Sequence, residues 1–227
     1  LAFEYYLQAI NDITEGDEKE SSKIKFFRRR NRTCGKILLA NLYLEGKGVE
    51  KNEKKAFQIF LKTAGEGSSR ALNFIGVCYD NGSGVGKNDR KAFEFYLKAG
   101  EQGNLVAQCN LGYIYQEGKG VDLNERIAFG WYLKSAESGY NRAQGDVGYC
   151  FGTGKGIDQD EEKAFSWYLR GAENEHALSQ STVGVRYLRG IGAPKDIIKG
   201  IRWFNLAREN GDKEAEENLT LIADLVV

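Results

Sequence analysis

The sequence has one proline, one histidine, four cysteines and no methionine among its 227 residues, and its formal net charge is zero. The balance of 32 basic and 32 acidic residues argues against a nucleic-acid or anionic-membrane partner, because both favour an excess of Lys and Arg. No apolar run approaches the roughly 18 residues that a membrane span needs, and no signal-peptide pattern opens the chain. Hydrophobic residues at 41% and charged residues at 28% are typical of a folded globular protein.

Internal repetition dominates what the sequence does contain. One shared segment, exemplified by AFEFYLKAGEQG, begins at Ala56, Ala92, Ala128, Ala164 and Gly200. Each start lies 36 residues after the last (92−56, 128−92, 164−128, 200−164). A second shared segment, exemplified by LGYIYQEGKGV from Leu111, precedes each of them. Five copies in a constant register predict a repeat fold.

Apolar residues within a copy recur at helical spacing. Ala107, Leu111, Gly112 and Tyr115 fall at i, i+4, i+5 and i+8, so each copy predicts two amphipathic helices, A (near 107–116) and B (near 125–137). Residues suited to cap helix B precede it at Asn52, Asn88, Asn124, Asp160 and Asp196. Glycines suited to a left-handed backbone follow it at Gly67, Gly103, Gly139 and Gly211.

Glu175 stands where the other four copies have that glycine. Either it adopts the left-handed conformation, with strain, or helix B of this copy runs on by a turn. The copies also share paired loop glycines, at 46/48, 82/84, 118/120, 154/156 and 190/192, where a positive φ costs glycine nothing.

Glycine also recurs inside helix A, where it costs roughly 1 kcal/mol relative to alanine. These positions are Gly76, Gly112, Gly148 and Gly184, with Ala40 in the first copy. A repeated cost predicts a close approach of helix B, which a Cβ would block. Trp131, Trp167 and Trp203 share one helix-B position, and we interpret them as rings buried between helices.

Nothing in the pattern indicates catalysis. The sole histidine, His176, stands at a position that varies between copies, which is typical of a solvated loop residue. GSGVGKN from Gly82 to Asn88 lacks the four-residue gap of a phosphate-binding loop, and Asn88 stands where Ser or Thr would bind magnesium. The sequence therefore predicts no enzyme activity, no catalytic, cofactor-binding or metal-binding residues, and no small-molecule substrate.

The repeat pattern resembles the Sel-1-like repeat, a relative of the tetratricopeptide repeat. The residues that carry the resemblance follow A-x3-LG-x2-Y in helix A, then G-x-G-V in the loop, then KA and Y-x-KA-x-E-x-G in helix B. The resemblance implies an all-α fold, a right-handed α-solenoid of stacked antiparallel helix pairs. Secreted bacterial relatives join the two helices with paired cysteines. That pairing is absent here, so Cys34, Cys78, Cys109 and Cys150 are expected to be reduced in a cytoplasmic or nuclear protein.

We divide the chain on this register into a partial repeat at 1–11 (helix B), a charged insertion at 12–35, five 36-residue copies at 36–214 and a partial repeat or capping helix at 215–227. The insertion is expected to be a flexible loop or a helix extension. Its basic run from Lys23 to Arg32 is either a solvated zwitterionic segment or a nuclear-import, lipid or RNA element. Because the chain starts at Leu1 without Met, it is expected to be a piece of a longer protein or a processed product.

The resemblance implies a non-catalytic scaffold or adaptor that binds a protein or peptide on its concave face, which helix A lines in related repeats. We transfer the outward-facing positions of helix A from those related repeats to the register of this sequence. The residues then expected to contact the partner are Asn41, Asn73, Val77, Asp80, Tyr113, Gln116, Arg142, Tyr149 and Arg189. The alternative is the regulatory segment of a longer signalling enzyme, such as a covalently linked protein kinase.

Overall fold

The computed structural model describes residues 22–224, with side chains from 32 to 220. The predicted fragment at 1–11 and residues 12–21 of the insertion lie outside the described residues, as do the side chains from Lys23 to Arg30. Residues 22–35 continue the first helix, so this part of the insertion is the helix extension and not the loop.

The described chain consists of helices joined by short turns and loops. These are α1 (Ser22–Glu45), α2 (Glu53–Gly65), α3 (Ser69–Asn81), α4 (Asp89–Glu101), α5 (Leu105–Glu117), α6 (Glu125–Glu137), α7 (Asn141–Thr153), α8 (Glu161–Glu173), α9 (Ala177–Arg189), α10 (Ile197–Glu209) and α11 (Lys213–Asp224). Odd-numbered helices are the predicted A helices, and even-numbered helices are the B helices.

The chain divides between Ala107 and Gln108 into two compact units. In the first unit α1 packs on α2, α2 on α3 and α3 on α4. In the second unit α6 through α11 pack in the same sequential manner. The predicted all-α solenoid of helix pairs is confirmed.

The predicted caps of the B helices are present in every copy. The side chains of Asn52, Asn88, Asn124, Asp160 and Asp196 each accept a hydrogen bond from the backbone N–H three residues on, at 2.9 or 3.0 Å. Each bond satisfies a helix-terminal donor that has no partner within the helix. The caps therefore fix where each B helix begins.

An aromatic ring of helix B rests on the glycine inside helix A. A Cβ placed on Gly112 would lie 2.5 Å from the Tyr132 ring, and one on Gly76 would lie 2.7 Å from the Tyr96 ring. The same contact joins Gly148 to Tyr168 at 2.9 Å and Gly184 to Phe204 at 3.1 Å. The predicted close approach of the two helices is confirmed, and its cause is the aromatic side chain.

The interpretation of the tryptophans as buried rings is wrong. Trp131, Trp167 and Trp203 are half-buried, because the ring enclosed between the helices belongs to the next residue along helix B. Trp167 packs against the outside of the core cluster around Tyr132, and the Arg170 guanidinium covers its ring at 4.6 Å.

In three of the loops the second glycine brings the loop against the preceding B helix. A Cβ on Gly156 would lie 2.1 Å from the Glu125 carbonyl oxygen, and one on Gly192 would lie 2.1 Å from that of Glu161. Gly84 meets the Glu53 carbonyl at 2.2 Å in the same way. These glycines combine a positive φ with a backbone contact that no side chain would allow.

Buried amides join successive copies of the second unit. Gln144 Nε2 donates to the Ala136 carbonyl at 3.3 Å, and Asn174 Nδ2 donates to Gln144 Oε1 at 2.9 Å. Gln180 repeats both bonds one copy later, to the Ala172 carbonyl at 3.0 Å and from Asn210 at 3.0 Å. Each glutamine thus satisfies a carbonyl near the end of one B helix while it accepts a bond from the next.

Lys36 and Glu66 occupy the matching positions in the first unit, where they form an ion pair. An ion pair thus stands at this junction, where the second unit has a hydrogen bond between two amide side chains.

Glu175 is left-handed, with φ 62°, and it is the one non-glycine residue with positive φ among those described. Helix α8 ends at Glu173 and α9 begins at Ala177, so helix B does not run on. Glu175 thus has the left-handed conformation that glycine has at the same repeat position in the other copies, at Gly67, Gly103, Gly139 and Gly211.

Replacing Gly112 by Ala should lower the free energy of unfolding by about 1–2 kcal/mol, because overpacking against Tyr132 outweighs the gain in helix propensity. Gly130→Ala is the matched control. Gly130 lies inside α6 with nothing within 4 Å of an added Cβ, so this change should raise stability by up to about 1 kcal/mol. Urea unfolding of both variants checks the pair. If both variants changed the free energy of unfolding by the same amount in the same direction, the result would contradict the contact between Gly112 and the Tyr132 ring.

Glu175→Gly should raise the free energy of unfolding by about 1 kcal/mol, because glycine relieves the strain of the left-handed backbone. Glu175→Ala serves as the control, since it removes the carboxylate and keeps the Cβ. The melting temperature should rise for the glycine variant alone. A fall for that variant would show that the left-handed residue is not strained.

Candidate functional site

The residues predicted to face a partner are distributed over both units. In the first unit Asn41, Val77 and Asp80 are half-buried. The outward placement of Asn73 is wrong, because Asn73 is only 5% exposed. Its repeat position belongs to the core, where Ile37 is also buried.

The predicted residues of the second unit reach the surface of the A helices. Tyr113 on α5 and Tyr149 on α7 hold the same repeat position and are each 38% exposed. Arg142 near the start of α7 and Arg189 at the end of α9 are exposed. Gln116 is half-buried, and its amide donates to Glu117 Oε1 at 3.0 Å.

A lysine ammonium lies over each of the two exposed tyrosines. Lys119 Nζ is 4.7 Å from the centre of the Tyr113 ring, and Lys155 Nζ is 5.2 Å from that of Tyr149. A hydrogen bond with Tyr149 raises the pKa of Lys155. Each pair presents an aromatic surface and a positive charge at one point of the repeat.

A half-buried carboxylate, Asp146, lies between Arg142 and Tyr149 on α7. The Cys109 thiol donates to Asp146 Oδ2 at 3.1 Å. Burial raises the pKa of Asp146, and the Cys109 bond and the Arg142 charge oppose that effect. The arrangement supplies a carboxylate acceptor beside the exposed tyrosine.

Sequence reasoning missed Asp146, Lys119 and Lys155. The position of Asp146 varies from copy to copy, as Asn110 in the copy before and Thr182 in the copy after show. The two lysines follow the loop glycines, six residues after each tyrosine, and this spacing was a signal that could have found them.

The four cysteines carry free thiols. Burial raises the pKa of Cys109 and raises that of Cys150 to about 12, with the Asp146 charge adding to both effects. Since the thiolate is the reactive form, these cysteines are unreactive core residues.

His176 is not the solvated loop residue that the sequence predicted. It holds the N-cap position of α9, is half-buried, and its Nδ1 lies 2.7 Å from Ser179 Oγ. Burial lowers its pKa from 6.5, and the Arg142 charge contributes to the decrease. Within the described part of the chain no group of three His, Cys, Asp or Glu side chains could hold a metal ion.

The lowered pKa of His176 sets the sign of a pH effect on stability. Between 6.5 and the folded-state pKa the unfolded chain binds more protons, so stability is complete above about pH 6.5 and falls as pH drops through this window. His176→Asn should remove that slope. Urea unfolding of both proteins at several pH values, with NMR titration of the single imidazole, checks this. If the free energy of unfolding of the variant fell equally as the pH drops, carboxylates and not His176 would cause the pH dependence.

A family model described as Sel1 repeat matches residues 1–12, 36–68, 69–104, 105–140, 141–176 and 177–212. The chain belongs to the Sel1 repeat family. Sel1 repeat proteins are generally protein–protein interaction scaffolds. No curated protein matches the sequence.

Solved structures agree with this assignment. The Sel1 repeat protein from Oxalobacter formigenes is 34% identical with a TM-score of 0.74, over 82% of this chain and 74% of that one. The protective antigen c5321 of uropathogenic Escherichia coli is 26% identical with a TM-score of 0.75. That match covers 97% of this chain, which spans about half (48%) of the antigen. The immunity protein Pa5087 from Pseudomonas aeruginosa, at 18% identity and a TM-score of 0.59, shows the fold alone.

No helix in residues 22–224 is long and apolar enough to cross a bilayer.

Proposed function

We propose that this Sel1 repeat chain is a non-catalytic scaffold that binds a peptide segment of a protein partner on the A helices of its second unit. The observation that carries the proposal is the pair of exposed tyrosines, Tyr113 and Tyr149, each with a lysine over its ring. Tyrosine and arginine are enriched among the residues that dominate binding energy at protein interfaces. Exposed Arg142 and Arg189 add such residues to the same set of helices.

The spacing of the site fits an extended segment. Packed helices lie about 8–10 Å apart, and an extended chain advances about 3.3 Å per residue. Neighbouring A helices lie side by side, since Cys109 of α5 bonds to Asp146 of α7, so the two tyrosines would contact side chains about three residues apart in the partner. Asp146, between Arg142 and Tyr149, supplies an acceptor for a backbone N–H or a cationic side chain of that segment.

The first unit, taken by itself, offers the half-buried residues Asn41, Val77 and Asp80 of its own A helices as separate candidate contacts for a protein partner. Asn73 is omitted because it belongs to the core.

A triple variant, Tyr113→Ala with Arg142→Ala and Tyr149→Ala, should lose partner binding by about a hundredfold while the chain stays folded. The measurement is titration calorimetry with a partner captured by the wild-type chain, together with thermal unfolding. The control changes Arg126, Glu162 and Ser166 to alanine, three exposed residues of B helices, and should bind normally. Retained affinity in the first variant and loss in the control would move the site to the B helices.

Two further predictions belong with this function. A kinase domain linked to the chain would place the scaffold in a signalling enzyme, and the full-length transcript would reveal it.

A cytoplasmic or nuclear location follows from the expectation of reduced cysteines, and imaging of the tagged full-length protein would check it.

A further inference from the structure

The first unit contains an open groove between the start of α2 and the loop that follows α3. Its volume is about 730 Å³, within the range of about 300–1,000 Å³ that ligand sites occupy. The loop is held against the helix by Gly84, whose N–H donates to Glu53 Oε2 at 3.2 Å. The residues that line the groove are Lys51, Asn52, Glu53, Lys54, Gly82, Gly84, Val85 and Gly86.

Two of the polar side chains in the groove already have partners. Asn52 Oδ1 accepts a hydrogen bond from a backbone N–H of α2 at 2.9 Å. Glu53 bonds through one oxygen to Gly84 and through the other to Lys51 Nζ at 2.8 Å. Lys54 is exposed and forms no ion pair within the part of the chain whose side chains the structure describes. The groove therefore contains a cation without a counter-charge.

The loop beside this cation lacks a carboxylate that other copies have. Gly86 corresponds to Glu50, Asp122 and Asp158, and to Pro194 in the last copy. Its backbone does not require glycine, because Gly86 is not among the residues with positive φ. Its surroundings do not require glycine either, because an added Cβ would meet nothing within 4 Å. The place where the carboxylate of another copy would stand is therefore open.

The second unit shows how the start of helix B and the loop that lies on it are matched in charge. Arg126 of α6 corresponds to Lys54, and the loop on α6 carries Asp158. Glu162 of α8 is the next equivalent, and the loop on α8 carries the uncharged Pro194. A cation thus faces a loop with a carboxylate, and an anion faces a loop without one. The junction at α2 differs, because its cation faces a loop that has no carboxylate.

We propose that this groove binds an acidic segment of a protein partner, with an Asp or Glu side chain beside Gly86 that pairs with Lys54. The partner then supplies the carboxylate that the loop lacks. Lys51 is 60% exposed and adds positive charge at the same groove, which favours a segment with more than one carboxylate. Hydrogen bonds between charged groups are about twice as strong as neutral ones. The site lies in the first unit, so it does not rest on the A-helix contacts proposed for the second.

The test uses two short acetylated and amidated peptides, one of alternating Glu and Ser and the other with Gln in place of each Glu. Binding is followed by NMR of the ¹⁵N-labelled chain at low ionic strength, because salt screens exposed charges. The Glu peptide should shift the amide resonances of Gly84, Val85 and Gly86. The Gln peptide should bind at least about tenfold more weakly.

Gly86→Asp and Gly86→Asn are the decisive pair, because the two side chains have nearly the same size and differ in charge. Both fit the open space at residue 86, so both variants should stay folded. The aspartate restores the loop carboxylate and competes for Lys54, so affinity for the Glu peptide should fall at least about fivefold. The asparagine variant should bind within about twofold of the wild type.

Equal affinity of the two variants for the Glu peptide would overturn the proposal, as would equal affinity of the wild type for the two peptides. The absence of any shift at Gly84, Val85 and Gly86 would also overturn it. Acetate at the same concentration of carboxylate is the last comparison. If acetate shifted these amides as strongly, the groove would bind small carboxylates and not a peptide segment. None of these failures affects the proposed function, whose variants lie in the second unit.

Discussion

The contact between a helix-B ring and a helix-A glycine governs how four of the described helix pairs are built, whereas the first pair has Ala40 in place of the glycine. The ring of Tyr132 lies against Gly112, and the same contact recurs in the following copies. Because no Cβ separates them, the two helices approach closely and the ring is enclosed. The neighbouring side chains of helix B are then turned partly toward solvent. Trp131, one residue before Tyr132, is half-buried for this reason.

Much of the fold could be predicted because the repeat shows each local requirement several times. The caps at Asn124 and its equivalents, the loop glycines and the left-handed position at Glu175 all follow from local backbone chemistry. What the sequence could not show was which of two adjacent aromatic residues is enclosed. Both positions hold large rings in the later copies, although the first copy has Ile59 at the position of Trp131, and the contact with the facing glycine distinguishes them.

The candidate site was harder to predict because it depends on departures from the repeat. Transfer by register selected Tyr113, Arg142 and Tyr149, which are exposed, but it also selected Asn73, which is buried in the core. Asp146 was missed because it differs from its equivalents and acquires meaning only through a residue of another helix. Asp146 meets Cys109 of the preceding copy. The positions that repeat therefore predict the fold, and the positions that differ between copies supply the candidate site.

The buried amide contacts have a consequence for how such an array changes length. Asn174 bonds to Gln144, and Asn210 bonds to Gln180 in the same way, so the two junctions are interchangeable. Removing one period of 36 residues (180−144) would bring Asn210 opposite Gln144 with the contact intact. Removing only part of a 36-residue copy would leave the buried amide of Gln144 or Gln180 opposite a residue other than its asparagine partner. These two junctions are therefore expected to survive the gain or loss of a whole copy of 36 residues, but not of part of a copy.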